Sequence, residues 1–232
     1  MLLDAPGLGK TLTTICLAEE LKAKYNIEHC LVVCGLNTLK TNWKREIEMH
    51  SKYTARILGE RVGKRSGKVT YGGTAERLQD LKHPIEEFFV ITNIETLRNN
   101  DIINELRKGK NKFDFIIVDE IHTAKNPQSQ QGKNLLKLKA PYQVAMTGTV
   151  LMNSPVDAYV PLKWLGKETA NYSTFTRYYC NFGGPFGNEL LGYRHTDILK
   201  EQMAKCSLRR TKDLLDLPPK TVIHEYVDMG DV

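Results

Sequence analysis

No stretch of this sequence stays apolar long enough to cross a bilayer, and its first residues lack the basic and apolar regions of a secretory leader. No membrane partner is expected. Cysteine is sparse: the five residues are scattered and form no Cys-x-x-Cys pair. Cys30 and Cys34, on one face of an expected strand, would stand about 13 Å apart at ~3.3 Å per residue, too far to bridge. His29, His50, His83, His195 and His224 fall at no metal-ligand spacing. These absences argue against a zinc module or a secreted disulfide scaffold. They suit reduced thiols in a cytoplasmic protein, nucleoid-associated in a bacterium or virus and nuclear in a eukaryote. Charge of neither sign dominates: Lys and Arg number 33 against 27 acidic residues, a net +6. That excess suits a nucleic-acid partner without requiring one. What is present, 41% hydrophobic and 26% charged residues in a chain of 232, suffices for a full core.

The most informative stretch lies almost at the start. Leu2-Leu3 reads as the end of a strand and Thr11 to Leu21 as a helix. Between them runs Asp4-Ala5-Pro6-Gly7-Leu8-Gly9-Lys10-Thr11. Glycines let backbone N–H groups close around phosphate oxygens, and the helix N-terminus behind them adds aimed donors. In such a loop Lys10 reaches the β- and γ-phosphates and the Thr11 hydroxyl ligates magnesium. Asp4, Gly7, Leu8, Gly9, Lys10, Thr11 and Leu12 are the candidate ATP-binding residues. The general phosphate-loop pattern wants Gly where Asp4 stands, and an ordinary turn-to-helix junction is the structural alternative.

Further along, apolar runs alternate with helical spacing. Strands are expected at His29–Cys34, Tyr53–Leu58, Phe88–Thr92, at Phe113 onward and at Tyr142–Met146. Helices are expected at Thr38–His50, Thr74–Leu81, Glu95–Lys108 and Gln128–Leu138. Trp43 reads as core, and Lys40, Lys44 and Arg45 as a solvated face or as phosphate contacts. The basic run Arg61–Lys68 reads as a glycine-containing loop, solvated or touching nucleic acid. The strand beginning at Phe113 ends in Asp119-Glu120-Ile121-His122. Asp119 can hold magnesium through its water shell, and Glu120 can polarise the attacking water. Ligands of parallel sheets gather at the carboxyl ends of strands, where this pair can meet Lys10 and Thr11. Thr147-Gly148-Thr149 follows another strand and can sense the γ-phosphate, although the motif alone is a plain turn.

These motifs, in this order, resemble the first RecA-like lobe of the Swi/Snf-type helicase-like ATPases of superfamily two. The opening loop is similar to that family's Asp-Glu-Met-Gly-Leu-Gly-Lys-Thr, which also carries Asp in the general pattern's Gly position. Leu31 to Cys34 with Asn42-Trp43 and Glu46-Ile47 is similar to the next motif. Ile91-Thr92 through Arg98, Asp119 to His122 with Lys125-Asn126, Thr147 to Ser154, Leu208 to Lys212 and Leu217 to Lys220 follow. Ala5-Pro6, Gly35 and Val150 depart from the pattern. The fold class implied is α/β: a RecA-like lobe with a mainly parallel sheet between helices, plus a helical protrusion. The expected division is 1–154 for the lobe, starting late; 155–220 for the protrusion and return; and 221–232 for a strand and linker toward a second lobe. In the protrusion, helices are expected at Val156–Leu165, Thr174–Phe182 and Ile198–Cys206, with Gly183 to Gly187 a loop. The aromatic stripe Tyr172, Phe175, Tyr178, Tyr179 and Phe182 reads as core.

The resemblance implies a DNA-dependent ATPase acting on duplex DNA without regard to sequence, with ATP and magnesium as cofactors and a second RecA-like lobe in the parent chain. It implies that His122, Thr147, Gly148 and Thr149 couple nucleotide state to DNA. Backbone-phosphate contacts would come from around Thr38, Lys44, Thr92 and Asn93. Without the second lobe and its arginines, the lobe is expected to bind ATP weakly and turn it over poorly. A nucleotide-gated binding module without productive hydrolysis is the alternative, and a nucleotide kinase a more distant one. Intact Lys10, Asp119 and Glu120 argue against the first, and the Asp-Glu-x-His segment against the second.

Overall fold

The computed structural model of the protein describes residues 1–63, 66–148 and 154–215. Its centre is a sheet of five strands in the order β2-β5-β1-β6-β7: β1 (His29–Cys34), β2 (Ala55–Ile57), β5 (Phe89–Asn93), β6 (Phe113–Val118) and β7 (Tyr142–Ala145). Every pairing among them is parallel, Val33 opposite Thr92 on one side and Val118 on the other. Parallel strands need crossovers, which here are helices. These are α1 (Lys10–Tyr25), α2 (Leu39–His50), α3 (Thr74–Lys82), α4 (Asn100–Lys108) and α5 (Gln130–Lys137).

The burial follows from the period of two along each strand. Cys30, Val32 and Cys34, with Ile91, Phe115 and Ile117, join Ile15 and Ala18 of α1 and Trp43 and Ile47 of α2 in one core cluster. Leu31 and Val33, with Val90, Ile116 and Val118, join Leu81, Ile102, Leu106 and Leu135 in a second cluster on the opposite face. Both faces of the sheet are covered, which explains why β1, β5 and β6 carry unbroken apolar runs.

Leu2 forms an isolated parallel bridge with Met146 and another with Leu208, so the strand leading into the opening loop lies beyond β7 and next to residues 208–210. Leu3 N–H donates to the Leu208 carbonyl at 2.8 Å, and Ala5 N–H to Arg210 at 3.0 Å.

Three expectations are corrected. The helix foreseen over Glu95–Lys108 is two elements, a 3-10 turn at Ile94–Arg98 and α4. Asn99 divides them: it is extended, and its side chain accepts from the N–H groups of Asp101 and Ile102, capping α4. The basic run Arg61–Lys68, expected as a loop throughout, begins inside β3 (Glu60–Val62) and leads from it to β4 (Val69–Tyr71), a hairpin pinned by buried Asp80. That carboxylate accepts from Gly59 N–H at 2.7 Å and from the guanidiniums of Arg56 and Arg61. Lys64 and Arg65 lie outside the described residues.

The protrusion, third, is not wholly helical. After a 3-10 turn at Pro155–Ala158 come α6 (Tyr159–Trp164) and α7 (Tyr172–Tyr179), which stops before Cys180. A hairpin of β8 (Cys180–Gly183) and β9 (Glu189–Tyr193) follows, then α8 (Thr196–Ala204). Gly184 and Gly187, at φ 80 and 66, make the reversal that an L residue resists. Of the aromatic stripe, Phe175 and Tyr179 are core, whereas Tyr178 and Phe182 are exposed. The expected strand Val222–Val227 and the Leu217–Lys220 motif lie outside the described residues.

Candidate nucleotide site

The opening loop turns through two left-handed glycines, Gly7 at φ 87 and Gly9 at φ 74, and Gly9 caps α1. Beyond the adjoining residues, no atom stands within 4 Å of where a Cβ would project from either, so the space beside both glycines is open. Thr11 is half-buried in the first turn of α1 and Leu12 is exposed. Lys10 bends back, its Nζ donating to the carbonyls of Asp4 at 2.8 Å and Ala5 at 3.4 Å. These are weak partners that an anionic phosphate can replace. Asp4 itself is fully buried. Its carboxylate accepts from the Arg210 N–H at 2.8 Å, with the Arg210 Nε 3.4 Å away. Asp4 therefore anchors the loop to the 208–210 segment.

Opposite the loop, β6 delivers Asp119 and Glu120. Asp119 is 9% exposed. Its Oδ2 accepts from the Trp43 Nε1–H and its Oδ1 from the Glu120 N–H, each at 2.9 Å. Burial pushes the Asp119 carboxyl up, while the Trp43 bond and the nearby Lys10 charge favour its ionised form. Glu120 has left-handed backbone, φ 48, and packs its Cβ against Gly35 at the end of β1. A Cβ at Gly35 would come within 2.6 Å of it.

The Glu120 carboxylate accepts from the Thr147 hydroxyl at 3.0 Å, and His122 Nδ1 lies 3.0 Å from the same oxygen and 2.9 Å from the Thr147 Oγ1. Gly148 continues that strand end beside the loop: a Cβ there would lie 3.0 Å from Pro6 Cγ and 3.4 Å from Lys10 Nζ. Residues from four places in the sequence, Lys10, Asp119–His122, Thr147–Gly148 and Gly35, therefore meet at the carboxyl ends of β1, β6 and β7. Thr149 lies outside the described residues.

No group of three or more His, Cys, Asp or Glu suited to a metal ion occurs among the described residues. A site of one carboxylate, one hydroxyl and substrate phosphates is nevertheless what magnesium takes, since it keeps much of its water shell. Asp119 and Thr11 fit that description. The two bonds already on Asp119 fix its plane and leave each oxygen a further lone pair.

Comparison with known proteins decides the family. The SNF2-related domain matches residues 1–232. The chain belongs to this family. Among SNF2-related proteins, the TATA-binding protein-associated factor MOT1 of Saccharomyces cerevisiae is 24% identical over all of this chain, which covers 13% of MOT1. ATP-dependent helicase fft1 of Schizosaccharomyces pombe is 29% identical, again over the whole chain and 24% of fft1. The chain thus spans less than a quarter of these curated relatives. The Sulfolobus solfataricus SWI2/SNF2 ATPase core in complex with dsDNA matches at a TM-score of 0.68 and 25% identity, over 94% of this chain and 42% of that one. The RecA-like fold of the SNF2-related domain is therefore present here.

The expected DNA-contact residues fare unevenly on this SNF2-related scaffold. Thr38 is exposed at the start of α2. Lys44 is half-buried and paired with Glu60 at 2.7 Å. Thr92 and Asn93 are 1% and 2% exposed, and Asn93 is bonded to Thr96 and Glu95. Both side chains are thus buried at the end of β5 in this structure. Lys40, left open as solvated or phosphate-binding, is buried with its Nζ 5.3 Å from the Tyr71 ring centre. Burial, then the neighbouring Arg77, lowers its pKa.

Sequence reading missed three contributors: Trp43 as a partner of Asp119, Arg210 as a partner of Asp4, and Gly35 as the seat of Glu120. The only signal available for the last was its departure from the family's usual Pro.

Proposed function

We propose that this chain is the ATP-binding lobe of a helicase-like, DNA-dependent ATPase that moves on or remodels duplex DNA. The observation that carries the reading is the meeting of Lys10 with the Thr147–Gly148 segment, whose Thr147, with His122, sits on the carboxylate of Glu120 next to Asp119. Lys10 exchanges the loop carbonyls for phosphate oxygens, and N–H groups of the loop would bind further phosphate oxygens. Thr11 and Asp119 would hold magnesium, which when bound neutralises charge on the β- and γ-phosphates. Glu120 orients the attacking water and takes its proton. In the present arrangement Thr147 and His122 occupy one Glu120 oxygen. Their exchange for water and γ-phosphate contacts is how nucleotide state reaches the next motif, with Thr149 and Gly148 in the same segment. A second RecA-like lobe of the parent supplies the remaining transition-state charge.

Support for DNA comes from the SWI2/SNF2 core whose structure contains dsDNA. Of the suggested phosphate contacts, Thr38 is the one on the surface, while Lys44 must first leave Glu60. A soluble cytoplasmic or nuclear setting suits this reading, and no helix among the described residues is long and apolar enough to cross a membrane.

The test is Glu120→Gln in the full-length protein. ATP binding is expected to persist while phosphate release falls by about 10²–10⁴-fold, the usual worth of a general base. Unchanged turnover removes Glu120 from the chemistry. No turnover in the unsubstituted protein, with ATP still altering DNA affinity, establishes the nucleotide-gated module instead.

A further inference from the structure

The two tryptophans of the chain are both fully buried, and both must satisfy an indole N–H. Trp164 does so on the Leu138 carbonyl at 2.7 Å, a neutral acceptor inside the second core cluster. Trp43 instead donates to Asp119 Oδ2, 76 residues away. A core tryptophan needs only some acceptor, and this one has taken the buried carboxylate next to Glu120 at the carboxyl end of β6.

The bond has directional content. An indole N–H is donor only, so it can bond only to an acceptor oxygen, and it favours the ionised carboxylate. With the Glu120 N–H on Oδ1, it fixes rotation of the carboxyl group about both of its side-chain torsions. Asp119 is 9% exposed, so little water is at hand to replace a lost donor. Trp43 itself is held by packing: it lies on the sheet-facing side of α2 with Ile47, against Cys34, Ile57 and Ile91.

We propose that Trp43 is a positioning residue that presets the Asp119 carboxylate for magnesium. It acts through Asp119 and touches neither nucleotide nor metal. The proposal rests on the reading of Asp119 as the magnesium ligand. Through it α2, whose exposed start carries Thr38, is joined to the metal side of the nucleotide site by one hydrogen bond.

The test uses the full-length protein, a non-hydrolysable ATP analogue and magnesium titrated against it. Trp43→Phe keeps an aromatic ring and removes the donor. The magnesium concentration for half-maximal analogue binding is expected to rise about tenfold or more, the usual cost of losing a partner of a metal ligand. Analogue affinity in EDTA is expected to stay unchanged. Asp119→Asn should abolish the magnesium dependence.

If Asp119→Asn leaves that dependence intact, Asp119 is not the ligand and both readings fall. If Asp119→Asn removes it and a folded Trp43→Phe protein titrates normally, only the role of Trp43 is overturned. Should Trp43→Phe not fold, ¹⁹F spectra of unsubstituted protein carrying 5-fluorotryptophan decide. The Trp43 resonance must then respond to analogue with magnesium and not to analogue with EDTA, while that of Trp164 stays in place. A Trp43 resonance indifferent to magnesium overturns the proposal.

Discussion

The carboxyl ends of β5 and β6 lie on the same edge of the same sheet, two strands apart, and both bring polar residues there, Thr92-Asn93 and Asp119-Glu120. Their fates are opposite. After β6 the chain turns through left-handed Glu120 and leaves its carboxylate at the mouth, in reach of Thr147 and His122. After β5 it enters the 3-10 turn Ile94–Arg98, whose Glu95 and Thr96 bond the side chain of buried Asn93. Position at a strand end therefore makes a residue a candidate, and the first few residues beyond the strand decide whether it faces a ligand. At β6 that decision depends on a small neighbour, Gly35. At β5 it depends on hydrogen bonds to Thr96 and Glu95.

The difference can be broken most severely from the side of β1. Gly35→Ala places a methyl 2.6 Å from the Glu120 Cβ and 3.2 Å from the Asp119 carbonyl. Phosphate release by the full-length protein should fall at least about tenfold with nucleotide affinity nearly kept, at an overpacking cost of about 1–3 kcal/mol in denaturant titration. Equal activity would show that the Glu120 backbone does not depend on Gly35.

Asn93→Ala should act on stability alone. Removing the acceptor of a buried hydroxyl costs about 1–3 kcal/mol, read as a lower denaturation midpoint. Turnover per folded molecule and DNA affinity should hold; a selective loss of DNA binding would restore Asn93 as a contact.

Asp4→Asn keeps an acceptor for the Arg210 N–H and loses only attraction to a guanidinium that is 48% exposed. Solvent screening there limits the loss to about 1 kcal/mol or less. The expected result is a small drop in melting temperature with nucleotide affinity intact, whereas a large drop in affinity would make Asp4 a phosphate-loop ligand after all.

Thr38→Ala is the mildest. Its side chain makes no capping bond to α2, so stability should change by no more than about 0.5 kcal/mol. Affinity for duplex DNA should fall a few-fold and, in both proteins, weaken with salt. An identical salt titration for wild type and variant would clear Thr38 of contact.

Much of this was legible in the residues. Strands β1, β5 and β6 are buried on both faces and so appear as runs such as Leu31-Val32-Val33, and the glycine–lysine loop announces its own geometry. The hairpins β3–β4 and β8–β9 were not legible, because most of their residues are exposed and no apolar alternation marks a face. The break at Asn99 was hidden because its neighbours on both sides carry helical spacing, and only the capping bonds reveal which residue interrupts it. At the site, Lys10, Asp119 and Glu120 stood out by type and position. Trp43 did not, since its apolar ring alone explains its burial. Its bond to Asp119 depends on how α2 packs against the sheet, which is set by residues distant in sequence.

The pairing of Leu2 with Leu208 and of Asp4 with Arg210 also has a mechanical meaning. The strand that enters the phosphate loop is flanked on its outer side by residues 208–210, held by the Leu3, Ala5 and Arg210 amides and by the Asp4 carboxylate. A pull transmitted along the chain from Thr211 onward loads these bonds in shear before it reaches β7. The first groups to feel such tension are Asp4 and Ala5, whose carbonyls hold the Lys10 ammonium.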